Sequence, residues 1–128
     1  MSQIIKPWGY EIILTESGLP YVGKILHIEA GKRLSLQIHD AKKETGCLVN
    51  GRCNLIIENE AGELETREME KQKGYTININ QKHRYSAITD CDIYEVSTPE
   101  IGITYRLEDD YARPNETEEL RKEERKQS

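Results

Sequence analysis

The sequence contains no phenylalanine, a single tryptophan and only three cysteines. With phenylalanine missing, seven tyrosines carry most of the aromatic content. A tyrosine ring has a polar tip, so these side chains suit the edge of a core or the wall of a polar cavity. The one tryptophan, Trp8, sits beside Gly9 and reads as a packing anchor. Cys47, Cys53 and Cys91 are odd in number and widely spaced, which excludes a disulfide framework and a C-x-x-C zinc signature. Unpaired thiols fit a reducing compartment. No apolar run has the length needed to span a bilayer. Residues 1–6 lack the apolar core of a signal peptide. The expectation is a soluble, cytoplasmic protein with no membrane partner. A basic excess is also missing: 18 Lys and Arg stand against 23 Asp and Glu, for a net charge of −5. That balance argues against nucleic acid as a partner. It leaves room for an anionic small molecule held by a few local cations.

What is present is a chain of 128 residues, enough for one domain with a modest core. Alternating or β-branched runs cover residues 10–14, 21–28, 34–39, 47–49, 54–58, 64–69, 75–80, 84–89, 92–96 and 103–107. Ser17-Gly18, Ala30-Gly31, Asn50-Gly51, Ala61-Gly62 and Lys73-Gly74 supply turns between them. Asn50-Gly51 between apolar runs reads as a hairpin. Many short strands at even spacing predict an all-β sandwich, barrel or jelly roll. No internal repeat is visible. Residues 1–113 form the expected barrel with an N-terminal arm. Residues 114–128 differ: Leu120 is their only large apolar side chain. Asn115 followed by Glu118 suggests a capping box, and the segment reads as a short charged helix, solvated and frayed.

Chemistry concentrates in one stretch. Gln37 and His39 are two apart on an expected strand, so both leave the same face. Arg33 and Ser35 share that phase, while Leu34, Leu36 and Ile38 take the other. Glu44 follows at the start of the next strand. His83 lies beyond a later strand and turn. Amide oxygen, imidazole and carboxylate are all competent ligands for a first-row divalent metal. Two imidazoles and one carboxylate leave positions open for a substrate oxygen.

Gly31, Gln37, His39, Glu44 and Gly51 together resemble the first signature motif of the cupins. That motif runs Gly, five residues, His, one residue, His, three or four residues, Glu, six residues, Gly. Gln37 stands in the place of the first His. Within Arg33-Leu-Ser-Leu-Gln37-Ile-His39 that substitution is similar to type II mannose-6-phosphate isomerase domains. These often follow a nucleotidyltransferase domain that makes GDP-mannose. Lys6-Pro-Trp-Gly9, Gly23-Lys24-Ile-Leu, the stretch from Ile79 to His83-Arg84, and Arg106-Leu-Glu-Asp-Asp-Tyr111-Ala-Arg113 resemble further motifs of that family. The likeness covers about residues 6–113. It departs at Asp40-Ala41-Lys42-Lys43-Glu44-Thr45-Gly46, where the family usually has two His, an Arg, and then Glu-His-Trp. It departs again at Asn78, where a Pro is usual, and at Ala112, where a Gly is.

The resemblance implies a cupin double-stranded β-helix with a short charged C-terminal helix or tail. It implies a metal held by Gln37, His39, Glu44 and His83, with zinc, manganese, iron, nickel and cobalt all suited to those donors. The reaction implied is aldose–ketose isomerisation of a sugar phosphate, mannose 6-phosphate first. Such a reaction needs a polarised carbonyl, a base and cations for the phosphate. Lys24, Arg33 and Arg106 are the catalytic candidates. Lys24 stands out because it shares a strand face with Val22, Leu26 and Ile28, and a lysine is costly to bury. Its role is substrate contact or proton transfer, with Asp40 as another base. Arg113 joins Arg106 in a closing segment that either binds phosphate or folds into a clasp with Asp109, Asp110 and Tyr111. Arg84 is a further candidate; it follows His83 and on an extended chain points the other way, so a structural ion pair stands beside a substrate role. Two other readings stand beside the isomerase: a non-catalytic sugar-binding or accessory module, and a non-haem metal oxygenase. An uncovered strand edge, with the N-terminal arm as the obvious one, favours a homodimer.

Overall fold

In a computed structural model of the chain, the fold is described for residues 2–126. Eleven strands form two antiparallel sheets. The strands are β1 Ser2–Lys6, β2 Gly9–Ile13, β3 Val22–Ile28, β4 Leu36–His39, β5 Glu44–Asn50 and β6 Cys53–Glu58. They continue with β7 Leu64–Glu68, β8 Gly74–Ile77, β9 His83–Ala87, β10 Cys91–Ser97 and β11 Thr104–Glu108, and α1 Glu118–Lys126 follows. The first sheet runs β1-β2-β3-β10-β5-β8 and the second β11-β4-β9-β6-β7. This is the all-β jelly-roll barrel that the resemblance implies. No described helix is long and apolar enough to cross a membrane.

Two local expectations change. The N-terminal arm is a strand, with β1 paired to β2 from Ser2↔Ile13 to Lys6↔Gly9. The Asn50-Gly51 turn is not a hairpin, because β5 and β6 belong to different sheets. It is the corner where the chain changes layer. Gly51 has φ 76°, and a Cβ there would lie 2.1 Å from the Asp90 carbonyl oxygen. Any side chain at that corner would push the two layers apart.

Period-2 alternation sorts the first sheet. On β10, Cys91, Ile93, Glu95 and Ser97 are buried while Tyr94 and Val96 are exposed. The inward row changes character part-way along. Ile93 pairs across to Leu26 on β3 and to Leu48 on β5. One step further, Glu95 pairs with Lys24 on β3 and with Gly46 on β5. The barrel interior therefore has a dry end and a charged end, and the boundary falls at the same level on neighbouring strands. The dry end packs Ile28, Leu48, Leu55 and Ile93 into a core that continues through Ile77, Tyr85, Trp8 and Leu26.

The C-terminal segment is docked instead of solvated. Thr104 and Glu116 form a bridge, and the buried Arg121 donates to Glu116, to the Glu100 carbonyl and to the Gly102 carbonyl. Lys6 reaches Glu124 at 2.5 Å and Arg125 reaches Glu100 at 2.6 Å. A polar segment can dock this way because the barrel end it covers is itself charged. Thr117, and not Asn115, caps the helix: its Oγ1 accepts from the Leu120 amide at 3.2 Å. Asn115 instead accepts from the Arg106 amide. Residues 127 and 128 of the expected tail lie outside the described residues.

Candidate metal centre

The second sheet delivers the metal-ligand candidates to the charged end. Gln37 on β4 lies directly across from His83 on β9. His39 closes β4, and Glu44 opens β5 in the opposite sheet. His39 Nε2 is 2.8 Å from Glu44 Oε1, and His83 Nε2 is 3.2 Å from the same oxygen. Ligand atoms of all three residues lie within 4.8 Å of one another. All three side chains are buried, His83 to 1% exposure. The Gln37 amide reaches the same point, with Nε2 at 3.4 and 3.5 Å from the two histidine Nε2 atoms. Ser35 Oγ donates to its oxygen at 2.7 Å. Turning the amide over would present that oxygen to a metal and let Ser35 accept from the nitrogen instead, because a hydroxyl does both.

At His83 the outer nitrogen fixes how the inner one is loaded. His83 Nδ1 is 2.9 Å from the Gln81 carbonyl oxygen, which can only accept, so Nδ1 carries the proton. In a neutral ring the Nε2 lone pair then faces inward. His39 Nδ1 is likewise held, by Thr104 Oγ1 at 2.9 Å. Burial, with Lys42 adding to it, lowers the His39 pKa to about 4, so this ring is neutral. Burial alone would raise the Glu44 carboxyl. Lys42, with Glu95, His39 and His83 close around the carboxyl, outweighs it and holds Glu44 well below the usual range. Two imidazole lone pairs and a carboxylate thus converge on one buried point. Acceptors facing acceptors repel unless a cation sits between them, and the donor set suits a divalent metal.

Around this point lies a cavity of about 50 Å³. Lys24, against expectation for a base, is ringed by Glu100 at 3.1 Å, Glu11 at 3.4 Å and Glu95 at 3.8 Å. Burial alone would lower its pKa. Glu100, Glu11 and Glu95 outweigh burial and raise it well above the ordinary value, so Lys24 stays an ammonium. Lys42, placed in the Arg position of the resemblance, is buried 3.5 Å from Glu95 and 3.7 Å from Glu100. Arg106 lines the cavity beside Gln37, donating to the Pro114 carbonyl at 2.7 Å and to Glu116 at 3.2 Å. Its buried Nε has no partner among the described residues. Arg113 also lines the cavity and is held by Asp109 at 2.9 Å. The closing segment is therefore a clasp whose arginines also face the site.

Arg33 is elsewhere. It is not among the cavity-lining residues, and its guanidinium grips Asp110 at 2.7 and 2.9 Å on the outside of the barrel. The reason is a break in the alternation. Strand β4 starts only at Leu36, and Leu34 and Ser35 are irregular, so the phase counted back from His39 does not reach residue 33. Arg33 bridges Ser86, while Leu34 turns into the cavity wall. Asp40 is exposed and accepts from the Ile103 amide at 2.8 Å, a loop contact. Arg84 binds the Leu34 carbonyl and lies near Glu108 and Asp110, outside the cavity. Trp8 packs in the core and also lines the cavity, whereas no tyrosine does. Tyr85 fills the space over Gly46: a Cβ there would lie 2.2 Å from the phenol oxygen. That contact accounts for a glycine where the resemblance leads one to expect a large side chain.

Glu11, Glu95, Glu100 and Glu116 line the cavity and were not anticipated. For Glu95 a signal existed. It stands in phase with Cys91 and Ile93 on an otherwise apolar inward row, as Lys24 stands in phase with Leu26 and Ile28.

Known proteins fit this picture. KdgF from Halomonas sp. is similar in structure with a TM-score of 0.67 at 16% identity, covering 78% of this chain and 88% of its own. A variant of Bacillus subtilis oxalate decarboxylase gives a TM-score of 0.70 at 17% identity over 82% of this chain. The Lactobacillus farciminis oxalate decarboxylase formate complex gives the same TM-score and identity. The chain spans 30% and 33% of those two decarboxylase chains. At such identities the likeness establishes the fold alone. No curated protein matches in sequence. The sequence itself matches the family described as mannose-6-phosphate isomerase C-terminal over residues 1–116. With that match, the two-sheet barrel and the buried His39, Glu44 and His83 cluster, the chain belongs to the mannose-6-phosphate isomerase C-terminal family of cupins.

Proposed function

We propose that the chain is a metal-dependent cupin acting on a sugar phosphate, as an aldose–ketose isomerase of the mannose-6-phosphate isomerase kind. The observation that carries this reading is the convergence of His39, Glu44 and His83 on one buried point beside a cavity lined by Lys24 and Arg106. Gln37, His39, Glu44 and His83 would hold the metal, which supplies Lewis acidity towards a substrate oxygen when bound. Lys24, fixed as an ammonium chiefly by Glu100 and Glu11, orients hydroxyl or carbonyl oxygens and does not accept a proton. Proton transfer then falls to a cavity carboxyl, and Glu11, Glu100 and Glu95 are the ones grouped around Lys24, with burial and Glu44 pushing Glu95 well above the usual carboxyl range. Arg106 offers its unpartnered Nε–H to a phosphoryl oxygen. Arg33, paired outside the barrel, has no part in this scheme. Unpaired cysteines suit the reducing interior of a cell.

One observation favours the second reading, a non-catalytic sugar-binding module. A cavity of about 50 Å³ has room for a few waters, at about 10–15 Å³ for each. A hexose phosphate needs more. Its entry requires the paired side chains to move, and with them the segment tied down by Arg125–Glu100 and Lys6–Glu124. Incubation of the metal-loaded protein with mannose 6-phosphate and a panel of other aldose phosphates distinguishes the two. The isomerase reading predicts ketose phosphate that disappears on chelation. Saturable binding without conversion would overturn it in favour of the module.

A further inference from the structure

One carboxylate of the charged end comes from outside the two sheets. Glu116 belongs to the segment after β11, and its amide and carbonyl each bond Thr104 at 2.9 Å. Its side chain lines the cavity. There Oε1 accepts from Arg121 Nε at 3.0 Å and Oε2 from Arg106 Nη2 at 3.2 Å. Lys6 Nζ stands 4.0 Å from the same Oε2. The three cations come from β1, β11 and α1, and none of their side chains is more than 7% exposed. Among the described residues they have two carboxylates as ion-pair partners, Glu116 and Glu124. Arg106 and Arg121 place further donors on the carbonyl oxygens of Pro114, Glu100 and Gly102. The buried Nε–H of Arg106 is left without an acceptor. Three positive charges against two negative, with one buried donor unmatched, leave this nest short of both charge and acceptors.

We infer that Glu116 is an internal stand-in for a phosphoryl group, and that a phosphate monoester enters the cavity by displacing it. The inference rests on the reading above, that the chain takes a sugar phosphate. A carboxylate offers two oxygens and one charge. A phosphoryl group offers three oxygens and a charge of about −1.5 to −2 at neutral pH. In the place of Glu116 it supplies the acceptor that Arg106 Nε lacks and the charge that the third cation lacks. Arg106 then meets it with Nε and Nη2 together, the parallel fork that arginine makes with such groups. Lys6 and Arg121 close the other sides. The exchange also bears on room. A cavity of about 50 Å³ gains the volume of the carboxylate that leaves it as the phosphate arrives. A neutral sugar carries no charge with which to move Glu116. The contact therefore keeps the cavity shut to ligands without a phosphate, which is selection by exclusion.

Calorimetric titration of the full, metal-loaded chain with inorganic phosphate is the test, run beside Glu116→Gln and Glu116→Asp. A site filled by its own competitor binds more weakly in proportion to the fraction of time it is open. Glu116→Gln keeps the shape and removes the charge. It should bind phosphate about 10-fold more tightly, as for a parent site open about one-tenth of the time. Glu116→Asp keeps the charge and draws it back by one methylene, so it stays measurable even if the glutamine variant fails to fold. Its expected gain is about 3-fold, for an open fraction of about one-third. Adding Arg106→Gln to either variant should cancel the gain. Phosphate binding no tighter in the Glu116 variants than in the parent, or a gain that survives the loss of Arg106, would overturn the inference. Turnover plays no part in this measurement. A chain that binds phosphate in the expected way but converts no sugar phosphate would count against the isomerase reading alone.

Discussion

The two ends of the barrel interior are built on the same strands and do opposite work. At one end β3, β5 and β10 turn Ile28, Leu48 and Ile93 inward, and β6 adds Leu55. At the other end the same rows present Lys24, Glu44 and Glu95. The dry end can be packed by any side chains of the right volume. The charged end has to satisfy each charge with a partner, which makes it costly to assemble and specific once assembled. Here the two are separated by a single step along the strand, so the core supplies the stability that the charged end does not.

That division can be broken from either side. Replacing His83 by Ala removes one converging lone pair and should reduce metal affinity by more than 100-fold, beyond the roughly 10–100-fold that loss of an outer partner costs. The thermal midpoint of the metal-free protein should move little by comparison. Calorimetric titration with zinc or manganese reads the first and a melting curve the second. Leu55→Ala, in the dry end, should do the reverse. It is expected to cost about 2–5 kcal/mol of stability in denaturant unfolding while one metal still binds.

A smaller effect sharpens the boundary. Thr104→Val keeps the shape but removes the hydroxyl that holds His39 Nδ1. Metal affinity should fall about 10-fold, at the low end of outer-partner effects, with unfolding free energy nearly unchanged. The smallest expected effect is in acid. Burial alone would raise the pKa of Glu116, but Lys6, Lys24 and Arg121 outweigh it and hold it at about 2. A group depressed in the folded state contributes fully above its unfolded pKa and loses that contribution as pH falls towards the folded value. The melting temperature should therefore decline between about pH 4.5 and pH 2, and Glu116→Gln should flatten part of that slope.

The dry end was the more legible of the two in the sequence. Strand alternation and turn residues marked ten of the eleven strands, because half-buried strands leave a period-2 trace. The first strand, 2–6, carried too short a trace and showed only as an arm. Lys24 was visible as a cation in an apolar row, and His39, Glu44 and His83 as ligand types at a family spacing. Arg33 was misplaced because a phase counted back from His39 assumes a continuous strand, and Leu34 and Ser35 interrupt it. The C-terminal segment misled for a different reason. Its polarity reads as solvent exposure, whereas Arg121 and Glu116 are polar because they dock on a charged barrel end. Composition cannot distinguish those cases, since complementarity depends on what lies across the contact.

The most direct test of the account is elemental analysis of the purified chain, stripped with chelator and then reloaded. One divalent metal per chain, lost from the His39→Ala and His83→Ala variants but kept by Arg33→Ala, is the result expected. A folded protein that takes up no divalent metal from any first-row salt would contradict the reading of that buried point as a metal centre.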